Sequence, residues 1–163
     1  MKIYKTLDCP SLKQIQKEAK TWIKQETELL TDPPSHWNKI DTKYFIMLNP
    51  ALSLYCTKTL KLILKEVEVI IADRSDVPLH TDDDEHVARI NFPIQNTKDT
   101  FTEWYDGKRK IEQVEMTKPM VVNSSIAHRV TCGPDAKTPG IVISCAFYKE
   151  PIEPLREDTK DKK

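Results

Sequence analysis

Apolar residues recur at helical spacing early in the chain. Leu12, Ile15, Ala19, Trp22 and Ile23 fall on one face of a helix, while Lys13, Lys17, Lys20 and Lys24 fall on the other. This pattern predicts an amphipathic helix lying on the outside of a sheet. Asp8 and Ser11 are its candidate N-caps, and Gln14 follows Ser11 at capping-box distance. Lys2 to Leu7 reads as a short leading strand, and Thr31-Asp32-Pro33-Pro34-Ser35 closes the helical stretch. Trp37 to Leu48 mixes polar and aromatic residues and keeps to neither period. Asn49-Pro50 opens a second helix, with Asn as cap and Pro at the first position; Leu52, Tyr55, Leu60 and Ile63 carry it to about Leu62.

From Lys65 the period changes to two. Val67, Val69 and Ile71 alternate with Glu66, Glu68 and Ile70. Strand-like pieces follow at Val77–Asp82, Val87–Ile94, Thr100–Asp106, Lys110–Met116, Met120–Asn123, His128–Cys132 and Ile141–Lys149. Turn signals such as Asn96-Thr97-Lys98-Asp99, Asp106-Gly107 and Cys132-Gly133-Pro134-Asp135 separate them. Helices followed by a run of short strands predict an α+β domain built on a β-sandwich or jelly roll. Residues 1–150 make one domain, and residues 151–163 form a charged, proline-containing tail expected to stay disordered.

Composition narrows the function classes. At 163 residues with 39% hydrophobic and 31% charged residues, the chain suits a single ordinary core. A formal net charge of zero gives no basis for a duplex nucleic acid or an anionic membrane as partner. No apolar run approaches the roughly 20 residues of a bilayer span, and the first residues lack the apolar core of a secretion signal, so a cytoplasmic location is expected. Cys9, Cys56, Cys132 and Cys145 form no CxxC pair and read as free thiols.

The candidate chemistry lies in Pro78-Leu79-His80-Thr81-Asp82 and in His128-Arg129-Val130. Alternate residues of a strand face the same way, so His80 and Asp82 present an imidazole and a carboxylate side by side. His128, opening a later strand, supplies a third ligand. Two histidines and one carboxylate on one face of an octahedron, with open positions opposite, suit non-haem Fe(II) and dioxygen. His86 reads as a loop histidine and His36 as a surface or structural one. The acidic run Asp82-Asp83-Asp84-Glu85 lacks the glycine and distal glutamate of a calcium loop. Ser144 has no histidine or acid at nucleophile spacing.

These residues stand in a longer pattern. Pro-Leu-His-Thr-Asp is followed by Arg-Ile-Asn-Phe-Pro-Ile-Gln-Asn, Thr-Phe-Thr-Glu-Trp-Tyr, Val-Asn-Ser-Ser-Ile-Ala-His-Arg-Val and Ile-Val-Ile-Ser-Cys-Ala-Phe. From Val67 to Lys149 this resembles the Fe(II)/2-oxoglutarate-dependent oxygenase superfamily, nearest to small phage-like members and to relatives of the aspartyl/asparaginyl and prolyl hydroxylases. The resemblance implies a double-stranded β-helix with the N-terminal helices outside the sheet. It implies Fe(II) held by His80, Asp82 and His128. It also implies 2-oxoglutarate as cosubstrate, decarboxylated to succinate while a small-molecule or peptide substrate is hydroxylated.

One element of the family pattern is absent. Family members carry Arg-x-x-x-Ser/Thr-x-Arg after the distal histidine, and its first arginine binds the far carboxylate of 2-oxoglutarate. Ser144 matches, but Gly140 and Ala146 occupy the arginine positions. A buried carboxylate needs a paired cation. Arg89, which shares strand parity with Asn91, is the leading substitute; it could equally pair with the acidic loop. Lys137 and Arg129 are the alternatives, although Arg129 alternates away from His128. Without such a cation the chain reads as a cupin-like metal-binding module or a structural jelly roll.

Overall fold

The computed structural model describes residues 3–25, 36–72, 77–81 and 88–148. The strands among them are β1 (Tyr4–Thr6), β2 (His36–Ile40), β3 (Leu64–Ala72), β4 (Val77–His80) and β5 (Ala88–Gln95). They continue with β6 (Thr100–Asp106), β7 (Arg109–Glu115), β8 (Met120–Asn123), β9 (His128–Cys132) and β10 (Gly140–Phe147). The helices are α1 (Leu12–Gln25), α2 (Thr42–Leu48) and α3 (Pro50–Leu54), the last running into a π-helical turn at Tyr55–Thr59. Two antiparallel sheets result. The larger has the order β1-β8-β5-β10-β3-β2 and the smaller β4-β9-β6-β7. From β3 to β10 the chain passes back and forth between the sheets and places four strands in each, so this part is a double-stranded β-helix.

Strand parity decides what each face of the large sheet carries. Val67, Val69 and Ile71 of β3, Ala88, Ile90, Phe92 and Ile94 of β5, and Ile141, Ile143, Cys145 and Phe147 of β10 share one core with Ile15, Ala19, Trp22 and Ile23 of α1. Burying each such large side chain contributes roughly 1.5–3 kcal/mol. Trp22 meets Phe45 edge-on at 6.0 Å, and Tyr55 meets Phe92 edge-on at 6.1 Å. The opposite face looks across to the small sheet, where Trp104, Met120 and Val122 form a second, smaller cluster.

Three local expectations change. The region from Trp37 to Leu48 is β2 followed by α2; Asp41 caps α2 by accepting from the Lys43 and Tyr44 amides. The second helix does not run to Leu62, because it loosens into the π-helical turn after Leu54. Ser11 stands at the N-cap position of α1, where its carbonyl accepts from the Ile15 amide. Gln14 donates to Glu18 instead of reaching back to Ser11. Asn49 makes no side-chain cap; fully buried, it accepts from the Trp22 indole at 2.8 Å and donates to Ile15 O. Glu18 of α1 accepts from the Ala51 amide at 2.9 Å, so α3 is capped from a neighbouring helix. Asp82, His86 and the tail 151–163 lie outside the described residues. Among the described residues no helix is long and apolar enough to cross a membrane.

Candidate metal centre and acid-binding pocket

Strand β9 lies between β4 and β6, and its register sets the site. His128 pairs with His80 on one side and with Trp104 on the other. Cross-strand partners point to the same face, so His80, His128 and Trp104 stand in a row on the small sheet. Trp104 packs against Met120 and Val122 of the large sheet, so this row faces the space between the sheets. The two imidazole centroids are 4.4 Å apart. The Nδ1–H of His128 donates to Ile126 O at 2.7 Å. A carbonyl only accepts, so Nδ1 carries a proton, and in the neutral ring this leaves Nε2 as the nitrogen open to a metal. Trp104 is buried; its indole donates to Asn123 O, and Tyr4 stacks on it at 5.6 Å and 9°.

A charged cluster lies on the facing side. Asn123 pairs with Ala88, which sets the start of β5 at the same end of the sandwich as Trp104 and His128. Arg89 is 5% exposed and donates from Nε to Ser144 Oγ at 2.8 Å and from Nη2 to Ser144 O at 3.2 Å. Its guanidinium lies 3.9 Å from both Glu66 and Glu68. Continuing the Cys145↔Ile90 register by one residue sets Ala146 opposite Arg89, and that methyl side chain leaves room for the guanidinium to cross β10 towards β3.

The two glutamates differ. Burial pushes Glu68 up to about 7, and its hydrogen bond to Glu66 adds to the rise. For Glu66, burial is outweighed by that same hydrogen bond and by the charges of Arg89 and Lys39, so it lies below the usual carboxylate range. Asn91, on the same face and paired with Ser144, has a buried Oδ1 without a hydrogen-bond partner.

No family model matches the chain, and no curated protein matches it in sequence. Solved structures do match its fold. A Pseudomonas putida prolyl-4-hydroxylase is similar at a TM-score of 0.54 and 14% identity over 88% of this chain and 91% of its own. AviO1 from Streptomyces viridochromogenes Tue57 is similar at 0.52 and 10% identity, covering 91% of each chain. SnoN, a non-haem α-ketoglutarate-dependent epimerase from nogalamycin biosynthesis, is similar at 0.50 and 10% identity over 87% of this chain and 84% of its own.

The chain has the non-haem iron oxygenase fold.

Within that fold the placement of the site residues can be stated. His80 and His128 are brought together. Asp82 lies two residues past His80, outside the described residues, and among the described residues no three metal-ligating side chains are grouped. Arg89, Asn91 and Ser144 are brought together on the inner face of the large sheet. Lys137 is exposed on the loop between β9 and β10 and takes no part in this cluster. Arg129 points to the outer face of the small sheet, where it pairs with Glu103 at 2.7 Å, as strand parity requires.

Arg89 does not stand at the place of the missing first arginine. Gly140 is four residues from Ser144 on β10, about 13 Å along a strand. The face near Gly140 carries Val142, paired with Ile70. Arg89 lies instead towards the end of the sandwich that carries the histidines. Glu66 and Glu68, its neighbours, were not singled out by sequence reasoning. The available signal was Ile70, which shares their parity: a strand with apolar residues on both faces is buried on both sides, and its glutamates with it.

Proposed function

We propose that the chain is a non-haem Fe(II) oxygenase that uses 2-oxoglutarate to oxidise a small-molecule or peptide substrate. The observation that carries this reading is the pairing of His80 with His128 on the inner face of an oxygenase-type double-stranded β-helix. His80 and His128 would hold the iron, with Asp82 as the carboxylate ligand of the triad. A bound Fe(II) with 2-oxoglutarate supplies the power to activate dioxygen and oxidise an unactivated C–H bond.

The chain's own residues do the positioning. Ile126 O fixes the tautomer and orientation of His128. Trp104, buried and held by Asn123 O and Tyr4, walls the small sheet beside His128 and excludes water there. Arg89, oriented by two hydrogen bonds to Ser144, offers a guanidinium for a carboxylate, and Asn91 offers an amide beside it. The fit is chemical: Arg89 is a buried cation on the inner face of the large sheet, as a buried acidic cosubstrate requires.

Purified protein given Fe(II), ascorbate and 2-oxoglutarate should form succinate, and His80→Ala or His128→Ala should lower that rate by about 100-fold or more, since even loss of groups that only orient metal ligands lowers activity 10- to 100-fold. Circular dichroism should show the variants folded. Retention of Mn(II) by the wild-type chain with no succinate formed would instead favour a metal-binding jelly-roll module, the reading to which Gly140 and Ala146 point.

A further inference from the structure

We propose that the helical layer is a docking face for a lipid surface with anionic headgroups: the lysines of α1 meet the headgroups, and apolar side chains of α2 enter the layer beneath them.

The apolar part lies in α2. A surface helix normally turns its large apolar residues inward. In α2 only Phe45 is buried, with Leu48 half-buried beside the core. Tyr44 and Ile46 are each 49% exposed, and Met47 is 78% exposed. With Leu54 of α3 they make four of the eight large apolar residues that stand exposed among the described residues, all in one short stretch of chain. Scattered single residues of this kind need no explanation, but a cluster marks a contact surface.

The basic part adjoins it. Lys13, Lys17, Lys20 and Lys24 recur at steps of four, three and four, which sets them in one exposed stripe along α1. An open groove of about 290 Å³ runs between α1 and the end of α2, with Lys17 and Thr21 on one side and Met47 and Leu48 on the other. Lys43, one turn before Met47, brings a further cation onto α2 itself. Residues 12–25 and 36–65 hold nine lysines and no arginine, against two acidic residues, Glu18 and Asp41. Both acids serve as helix caps, Glu18 for the Ala51 amide and Asp41 for the Lys43 and Tyr44 amides. The zero net charge of the whole chain averages over this layer, and so is silent on what one face attracts.

The chemistry favours lipid over other anionic partners. Protein interfaces are enriched in arginine and depleted in lysine. Nucleic-acid surfaces combine arginine forks with stacked aromatics. Here the cations are lysines alone, and the apolar residues beside Tyr44 are flexible aliphatic ones. An ammonium on a long stem suits a fluid headgroup layer, which offers no fixed geometry to match, and aliphatic side chains suit the acyl boundary below it. The helices cover the side of the large sheet opposite the histidines, so the metal centre takes no part in docking.

The test is flotation of the full chain, without added metal, with vesicles of phosphatidylcholine alone and with about one third phosphatidylserine. The expected result is binding to the anionic vesicles only, lost between about 0.1 M and about 1 M salt. Lys17→Gln and Lys20→Gln should each lower the partition coefficient about fivefold, and Met47→Ser about tenfold. All three positions are exposed, and circular dichroism should show the variants folded. Equal binding to both vesicles, or binding to neither, overturns the proposal, and the wild-type runs decide this even if a variant fails to fold. Vesicle binding that all three variants leave unchanged places the contact elsewhere on the chain and overturns it too. So does salt-dependent retention on immobilised polyglutamate or duplex DNA without vesicle binding, which assigns the face to an acidic protein or a nucleic acid. Succinate formation is measured separately, so the oxygenase reading does not depend on the outcome.

Discussion

Glu103, buried, and Glu68, half-buried, are carboxylates on strands of the same sandwich, and they are treated in opposite ways. Glu103, on the outer face of the small sheet, accepts from Arg129 Nε at 2.7 Å, Tyr105 Oη at 2.8 Å and Lys110 Nζ at 3.4 Å. Burial acts to raise it, but these three donors outweigh burial and hold it below the usual carboxylate range. Arg129 also lies over the Tyr105 ring at 5.0 Å, which closes the network. Glu68, on the inner face of the large sheet, has a guanidinium 3.9 Å away and a second carboxyl, Glu66, two residues back on the same face of β3. Burial decides what a charge loses; the donors supplied to it decide whether it stays charged. Glu103 is locked into one state, while Glu68 can change state near neutral pH.

The contrast is sharpest in the arginines. Arg89→Ala should destabilise the fold by about 1.5–3 kcal/mol, because it removes a buried guanidinium with its hydrogen bonds to Ser144 and lowers the positive charge beside two half-buried carboxyls. It should also weaken N-oxalylglycine binding at least tenfold. Arg129→Ala should leave that binding unchanged. Urea unfolding and calorimetry on the two variants would separate them, and equal effects on binding would erase the distinction between the faces.

The pH dependence runs in opposite directions for the two glutamates. The folded-state value of Glu68 is raised from 4.5 to about 7, so its contribution is full below about pH 4.5 and is lost as pH rises through 7. Glu68→Gln should therefore gain on the wild-type chain between pH 5 and pH 8, by about 1–3 kcal/mol. The value of Glu103 is lowered, so its contribution is present above 4.5 and is lost as pH falls. Glu103→Gln should cost about 1–2 kcal/mol at pH 7, and the gap should close towards pH 3. Thermal unfolding across pH 3–8 shows both slopes, and parallel curves for the two variants would contradict the assignment.

The smallest effect concerns the helical layer, which neither cluster touches. Glu18→Ala removes the acceptor for the Ala51 amide and should cost about 1 kcal/mol. Ligand binding and its pH dependence should not move.

How much was legible follows from what a period can encode. Alternation places Arg89 with Asn91 and sends Arg129 away from His128; the structure agrees on both. The caps read differently, because Gln14 turns to Glu18 one turn on in its own helix and Asn49 turns to α1. Asn49 is closer to the Trp22 indole of α1 than any local rule would foresee.

What the amino-acid order determined by itself is the set of faces: helical spacing made α1 amphipathic, and spacing by two set the sidedness of the strands. Tertiary structure decided the partners. His80 meets His128 only because β4 pairs with β9, across 48 residues of chain, and Arg89 meets Glu68 only because β10 lies between β5 and β3 with a serine and an alanine to pass. The physical reason is that side-chain direction is a property of neighbouring residues along one strand, whereas register is a property of two strands and of the core that holds them together.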